Sequence, residues 1–195
     1  MKLVCQNDYP DMIYLTNLAH DDIDHNTTIK ESGCGVCCAK MLIDHYFPER
    51  NISLEDTIQI AYDAGANYSA GTNFVRLGKK MCEMFDLEYV PTNDDSLLKK
   101  HLEEGGLAVI NVGGDHDDHI GIFSNIGHYV LAYSVNNNEV KVLDPGYREG
   151  KYSTKPRVDK VRIEEEFVVC DLNILMEDTR NRIVPYFLFK RKPIR

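Results

Sequence analysis

The chain has 195 residues, 43% hydrophobic and 27% charged, which suits one folded domain over residues 1–195 and excludes disorder, collagen and coiled coil. Its 22 basic and 31 acidic residues leave a formal charge of -9, which argues against nucleic acid or an anionic membrane as partner. No run of 18 apolar residues is present to span a bilayer, and Met1 to Pro10 has no apolar signal core, so a cytoplasmic location is expected.

Residues 1–30 are polar and poorly periodic, carry the acidic cluster Asp21, Asp22 and Asp24, and read as an extended arm. Helical spacing begins at residues 34–46, where Cys38, Met41, Leu42 and Tyr46 share a face between Ser32-Gly33 and Pro48. Ser53-Leu-Glu-Asp56 opens a second helix that ends near Gly65. A third is predicted over residues 73–85, with Phe74, Leu77, Met81 and Phe85 on one face, and a fourth over 96–104, stopped by Gly105-Gly106.

The period then changes. Residues 107–112 read as a strand, and residues 128–135 and 139–143 as a hairpin turning at Asn136 to Asn138. Short strands at 161–163 and 186–189 are predicted around a helix over 164–176. Helices first and mostly antiparallel strands after them define an α+β architecture.

Cys5, Cys34, Cys37, Cys38, Cys82 and Cys170 are irregularly spaced, and a chain this long holds a core without staples, so thiol chemistry suits them better than a disulfide framework. Cys34 lies at the first turn of a helix, between Gly33 and Gly35. Unpaired N–H groups and the positive end of the helix dipole stabilise a thiolate there, and the Cys34 amide is a ready oxyanion donor. The structural alternative is a small buried residue.

A thiolate nucleophile needs a proton carrier, and histidine titrates in the right range. Among His20, His25, His45, His101, His116, His119 and His128, only His128 opens an apolar strand; His45 lies along the same helix as Cys34, too far to touch it. The second strand of the hairpin ends at Asp144-Pro145, and the far ends of a hairpin meet, so His128 and Asp144 are predicted neighbours. A carboxylate beside an imidazole fixes its tautomer and stabilises its cation. Taken singly, His128 is also a structural strand residue and Asp144 an Asp-Pro turn opener.

Three segments carry a resemblance: Thr28-Ile-Lys-Glu-Ser-Gly-Cys34-Gly-Val-Cys-Cys-Ala-Lys-Met-Leu42, Gly127-His-Tyr-Val-Leu-Ala-Tyr-Ser-Val135 and Val140-Lys-Val-Leu-Asp-Pro145. Together they resemble the papain-like cysteine peptidases of family thirty-nine, typified by bacterial bacteriocin-processing peptidases that cut after a double-glycine leader. The match is to the family's stand-alone branch and spans roughly residues 3–146. It implies a papain-like fold with N-terminal helices on a mostly antiparallel sheet, and a peptide or protein substrate without cofactor or metal. It also implies Cys34 as nucleophile, His128 as base and Asp144 as its orienter. The family's oxyanion-hole glutamine carries over to Gln6, the only glutamine before the cysteine, at a wider spacing than the family's. Val36 stands where many members have proline, and Cys37 and Cys38 replace small residues.

Other readings use the same residues. Cys34-Gly-Val-Cys37 is a Cys-x-x-Cys of thiol–disulfide oxidoreductases, though no buried strand precedes it. His116 and His119 could join that pair on zinc, but their spacing is tighter than a finger's, and residues 115–119 read instead as a solvated acidic loop near the site. A papain-like scaffold also serves amidases and acyltransferases. Residues 147–195 carry 12 basic and 8 acidic residues, so residues 1–146 hold a net -13. That acidic portion is expected to contain the whole catalytic set and, through its field, to favour cationic or neutral peptides.

Overall fold

The computed structural model describes residues 1–17 and 26–193; Asp21, Asp22, Asp24, His20 and His25 lie outside the described residues. Among the described residues six α-helices precede or flank a large antiparallel sheet in an α+β arrangement, five of them before its second strand in sequence. These five are α1 (Ile29–Ser32), α2 (Cys34–Tyr46), α3 (Leu54–Asp63), α4 (Phe74–Met84) and α5 (Asp95–Glu103). Short ladders pair β1 (Ile13–Tyr14) with β2 (Thr27–Thr28), and β3 (Asn67–Tyr68) with β4 (Gly71–Thr72). The main strands are β5 (Leu87–Thr92), β6 (Leu107–Val112), β7 (His128–Asn136), β8 (Glu139–Leu143), β9 (Val161–Glu164), β10 (Phe167–Asp171) and β11 (Tyr186–Arg191). A last helix, α6, spans Leu172–Glu177.

The seven main strands lie in the order β5-β11-β6-β7-β8-β10-β9, and every pair is antiparallel. Their side chains alternate between two cores, as the two-residue period of a strand requires. Leu107, Val109, Leu131, Leu143, Phe187 and Phe189 pack with Val36, Met41, Leu42, Phe74 and Leu77 of α2 and α4. Ala108, Ile110, Val130, Ala132, Val142 and Leu188 face the other way, onto Leu98 and Leu102 of α5 and Leu172 and Leu175 of α6. Burial of both sheet faces explains why Leu107-Ala-Val-Ile and Val130-Leu-Ala are continuously apolar. No described helix is long and apolar enough to cross a membrane.

Helix starts follow local capping chemistry. The Ser53 side chain accepts from Asp56 N, and the Asp56 carboxylate accepts from Ser53 N at 2.9 Å. Asn73 and Asp94 cap α4 and α5 one-sidedly, their side chains accepting from Arg76 N and from Ser96 N and Leu97 N.

Three elements depart from the sequence expectation. Residues 164–171 are not helical: Glu165, at φ 55, turns β9 into β10, and only residues 172–177 form a helix. The β-branched Val168 and Val169 are buried between β8 and β9, which outweighs the helical spacing of the surrounding leucines. β5 is a strand despite Pro91, because it is an edge strand whose missing donor breaks no interior ladder. Of the N-terminal arm, the described residues 1–17 are folded onto the domain, with Tyr14 fully buried and Gln6 N donating to Pro145 O at 2.8 Å.

Candidate active site

Gly33 separates α1 from α2, so Cys34 occupies the first position of α2 at the end where backbone N–H groups are unpaired. A Cβ on Gly35 would stand 2.6 Å from Thr72 Oγ1, so a glycine after Cys34 lets the start of α2 lie directly against β4. His128 is the first residue of β7, and Asp144 follows the last residue of β8.

The His128 Nε2 and Asp144 Oδ1 atoms are 2.7 Å apart. With Nε2 committed to the carboxylate, Nδ1 is the ring nitrogen left for the Cys34 sulfur, and the two groups are close enough to act on each other's titration. Burial alone would raise the Cys34 thiol. The adjacent His128 charge and the Tyr129 and Gly35 N–H groups outweigh burial and bring the thiol below its ordinary value. Burial would likewise depress His128, but the Cys34 sulfur and Asp144 carboxylate push it up to about 9. Both directions favour a thiolate–imidazolium pair.

Asp144 is fully buried, and both of its oxygens are saturated. Oδ1 accepts from His128 and from Gly146 N at 2.8 Å; Oδ2 accepts from Lys151 Nζ at 2.5 Å and Tyr152 OH at 2.6 Å. Burial raises its pKa, yet the His128 hydrogen bond and the Lys151 charge outweigh it and hold the carboxyl well below the usual range. Sequence reasoning missed Lys151 and Tyr152. They sit in an irregular segment with no periodicity, and their only available signal was closeness in sequence to Asp144.

Gln6 is buried, and its Nε2 donates to Lys30 O at 2.6 Å, which leaves its second amide hydrogen for another acceptor. Gln6 lines the same cleft as Cys34 and His128. Its Oε1 is buried without a hydrogen-bond partner among the described residues.

The cleft has two lobes that meet at Cys34, His128, Gly71 and Ile126. An aromatic lobe of about 780 Å³ is walled by Phe74, Val75, Tyr129, Ile183, Val184 and Phe187. A basic lobe of about 650 Å³ is walled by Gln6, Lys30, Asn125, Arg148, Lys151 and Arg157. Each lobe is the size of a small-molecule pocket. The expectation of an acidic cleft fails here. Two irregular stretches after residue 146 return to the site, so Arg148, Lys151, Arg157 and Arg182 line walls that the sequence left to the acidic portion.

The remaining candidates are placed elsewhere. All six cysteines are free thiols; Cys37 and Cys38 are fully inside the core, and burial, then the neighbouring Cys34, raises both well above the ordinary thiol range. Cys37 is therefore poorly disposed for thiol–disulfide exchange with Cys34. His119 Nε2 lies 2.5 Å from Oδ1 of the fully buried Asp178, which also accepts from Ile122 N and Phe123 N. The 115–119 segment is thus tied to the end of α6 rather than merely solvated. Among the described residues no three His, Cys, Asp or Glu side chains gather in a metal-binding arrangement.

No protein-family model matches the chain, and no curated protein matches it. Among solved structures it is similar to the peptidase domain of Streptococcus ComA, a bi-functional ABC transporter involved in a quorum-sensing pathway. That similarity has 13% identity and a TM-score of 0.48 and covers 80% of this chain and 88% of the other.

Proposed function

We propose that the protein is a papain-like cysteine peptidase that hydrolyses peptide bonds through an acyl-enzyme. The observation that carries this reading is the chain of contacts from Asp144 through His128 to Cys34 at the start of α2, with the thiol lowered and the imidazole raised. The Cys34 thiolate attacks the peptide carbonyl, forming a C–S bond and moving the carbonyl electron pair onto oxygen. The Cys34 N–H and the second Nε2 hydrogen of Gln6 are the donors for that oxyanion. His128 gives its proton to the departing amine as the C–N bond breaks, leaving a thioester on Cys34. Neutral His128 then takes a proton from water, which attacks the thioester, and collapse returns the thiolate and imidazolium.

Asp144 holds the ring in one tautomer, and Lys151, Tyr152 and Gly146 N hold Asp144. A peptide-library digest followed by mass spectrometry tests the reading. Wild-type protein should cut and carry a trapped thioester on Cys34, and Cys34→Ala should do neither. Hydrolysis that survives in Cys34→Ala would overturn it.

A further inference from the structure

Arg157 is 8% exposed, and no carboxylate among the described residues pairs with it. Its Nε donates to Gly121 O at 3.1 Å and its Nη2 to Asn125 Oδ1 at 2.8 Å, both neutral acceptors. A guanidinium has five N–H donors, so Nη1 and the second Nη2 hydrogen have no protein acceptor among those residues. Nη1 is not sealed from solvent, so its free N–H groups open into the cleft, and the Asp115 carboxylate acts on the guanidinium from beyond Asn125. Arg157 lines the lobe that also contains Cys34 and His128.

Two further cations face that lobe. Lys30 and Arg148 are both exposed, and neither has an ion-pair partner among the described residues. One carboxylate, Glu31, itself lines the lobe, and hydrogen bonds from neutral donors do not cancel its charge. The Glu31 carboxylate accepts from Thr28 N at 3.0 Å and Thr28 Oγ1 at 3.1 Å, and the Asp115 carboxylate accepts from Gly121 N and Asn125 Nδ2. Lys151, the other cation of the lobe, is matched by Asp144. With Lys30, Arg148 and Arg157 against Glu31 alone, the lobe presents a net positive wall, whereas the aromatic lobe has Arg182 as its charged member.

We propose that the basic lobe is a carboxylate-binding subsite, so that the peptide taken by this cleft carries a carboxylate on one side of the scissile bond and apolar side chains on the other. The substrate class rests on the peptidase reading. Arg157 makes a charge-assisted hydrogen bond to the carboxylate from inside the wall, while Lys30 and Arg148 attract it at the rim. An Asp or Glu side chain and a chain-terminal carboxylate present the same chemistry to these groups.

The test is a digest of one peptide library in two forms, free acid and C-terminally amidated, with cut sites read by mass spectrometry. The expected result is enrichment of a carboxylate on one fixed side of the cut by about tenfold, the worth of one charge-assisted hydrogen bond. Enrichment that survives amidation assigns the subsite to Asp and Glu side chains; cleavage lost on amidation assigns it to the chain terminus. Arg157→Gln should abolish the preference and Arg157→Lys should retain most of it, which a merely structural role would not produce. Should Arg157→Gln fail to fold, the exposed double variant Lys30→Gln/Arg148→Gln must still weaken the preference.

Cleavage without preference for a carboxylate overturns the subsite and leaves the peptidase reading standing. If wild-type protein cuts nothing, Cys34→Ala is titrated with a fluorescein-labelled Glu-rich peptide and its Gln counterpart at low salt. Tighter binding of the Glu peptide, lost in the Lys30→Gln/Arg148→Gln background, upholds the subsite while the peptidase reading falls. Equal binding overturns the subsite as well.

Discussion

His128 and Asp144 are 16 residues apart in sequence, and their side chains meet at 2.7 Å because β7 and β8 form one hairpin. Leu131 pairs with Leu143 in that ladder, so the start of β7 and the residue after β8 arrive at the same sheet end. The hairpin is buried on both faces, which fixes its register and with it the orientation of the His128 ring.

Rate should follow a bell in pH. Activity rises as the Cys34 thiol deprotonates, at a pH below that of an ordinary thiol, and falls as His128 loses its proton near 9. Asp144→Asn removes a raising influence on His128, so the alkaline limb should move to lower pH. Profiles of kcat/KM for the two proteins check this; coincident alkaline limbs would show that Asp144 does not act on the titrating group.

Stability should respond to the same groups in opposite directions. His128 is raised from 6.5 to about 9, so its contribution is full below 6.5 and is lost as pH climbs through about 9. Asp144 is depressed from 3.8, so its contribution is present above 3.8 and is lost as pH falls below it. Urea melts across pH should show the Asp144→Asn variant losing part of the acid dependence that wild type has below about 4, the rest coming from other depressed carboxylates such as Asp56 and Asp115.

Lys151→Met leaves one oxygen of a fully buried carboxylate without its cation. Breaking such a pair costs about 3 kcal/mol, so the melting temperature should drop by several degrees while Tyr152→Phe, which removes one hydrogen bond, costs about 1 to 2 kcal/mol. Equal stability of Lys151→Met and wild type would remove Lys151 from the support of Asp144.

Gln6→Ala should lower kcat by about 100-fold with little change in KM, the signature of a donor used only in the transition state. Matched losses in kcat/KM through KM alone would assign Gln6 to ground-state binding.

Limiting iodoacetamide should modify Cys34 before Cys82 or Cys170, because its thiol is lowered while burial pushes Cys170 up to about 12. Peptide mapping after partial labelling gives the order. Cys34 reacting no faster than the others would defeat the activated-thiolate assignment.

Patterning along the chain was sufficient for α2, α3, α4 and the β7–β8 hairpin, because each buries a face whose period matches its own geometry. It was insufficient for β10, where Val168 and Val169 take their conformation from two flanking strands rather than from their neighbours in sequence. β5 was hidden by Pro91, whose acceptability depends on the strand being at a sheet edge.

The same division runs through the site. Cys34 at a helix start, His128 opening an apolar run and Asp144 closing the next one are local features, set by glycine placement, hydrophobic period and turn chemistry. The buried Lys151 and Tyr152 around Asp144, the unpaired guanidinium of Arg157, and the wall supplied by Arg182 and Ile183 are not local. They come from irregular segments whose positions are decided by what the completed sheet leaves uncovered. Charge therefore had opposite meanings at the two levels. The sequence determined an acidic chain with a basic final quarter, and only the tertiary structure decided that Arg148, Lys151, Arg157 and Arg182 of this quarter line the cleft, because electrostatic influence depends on distance in space and not on order along the chain.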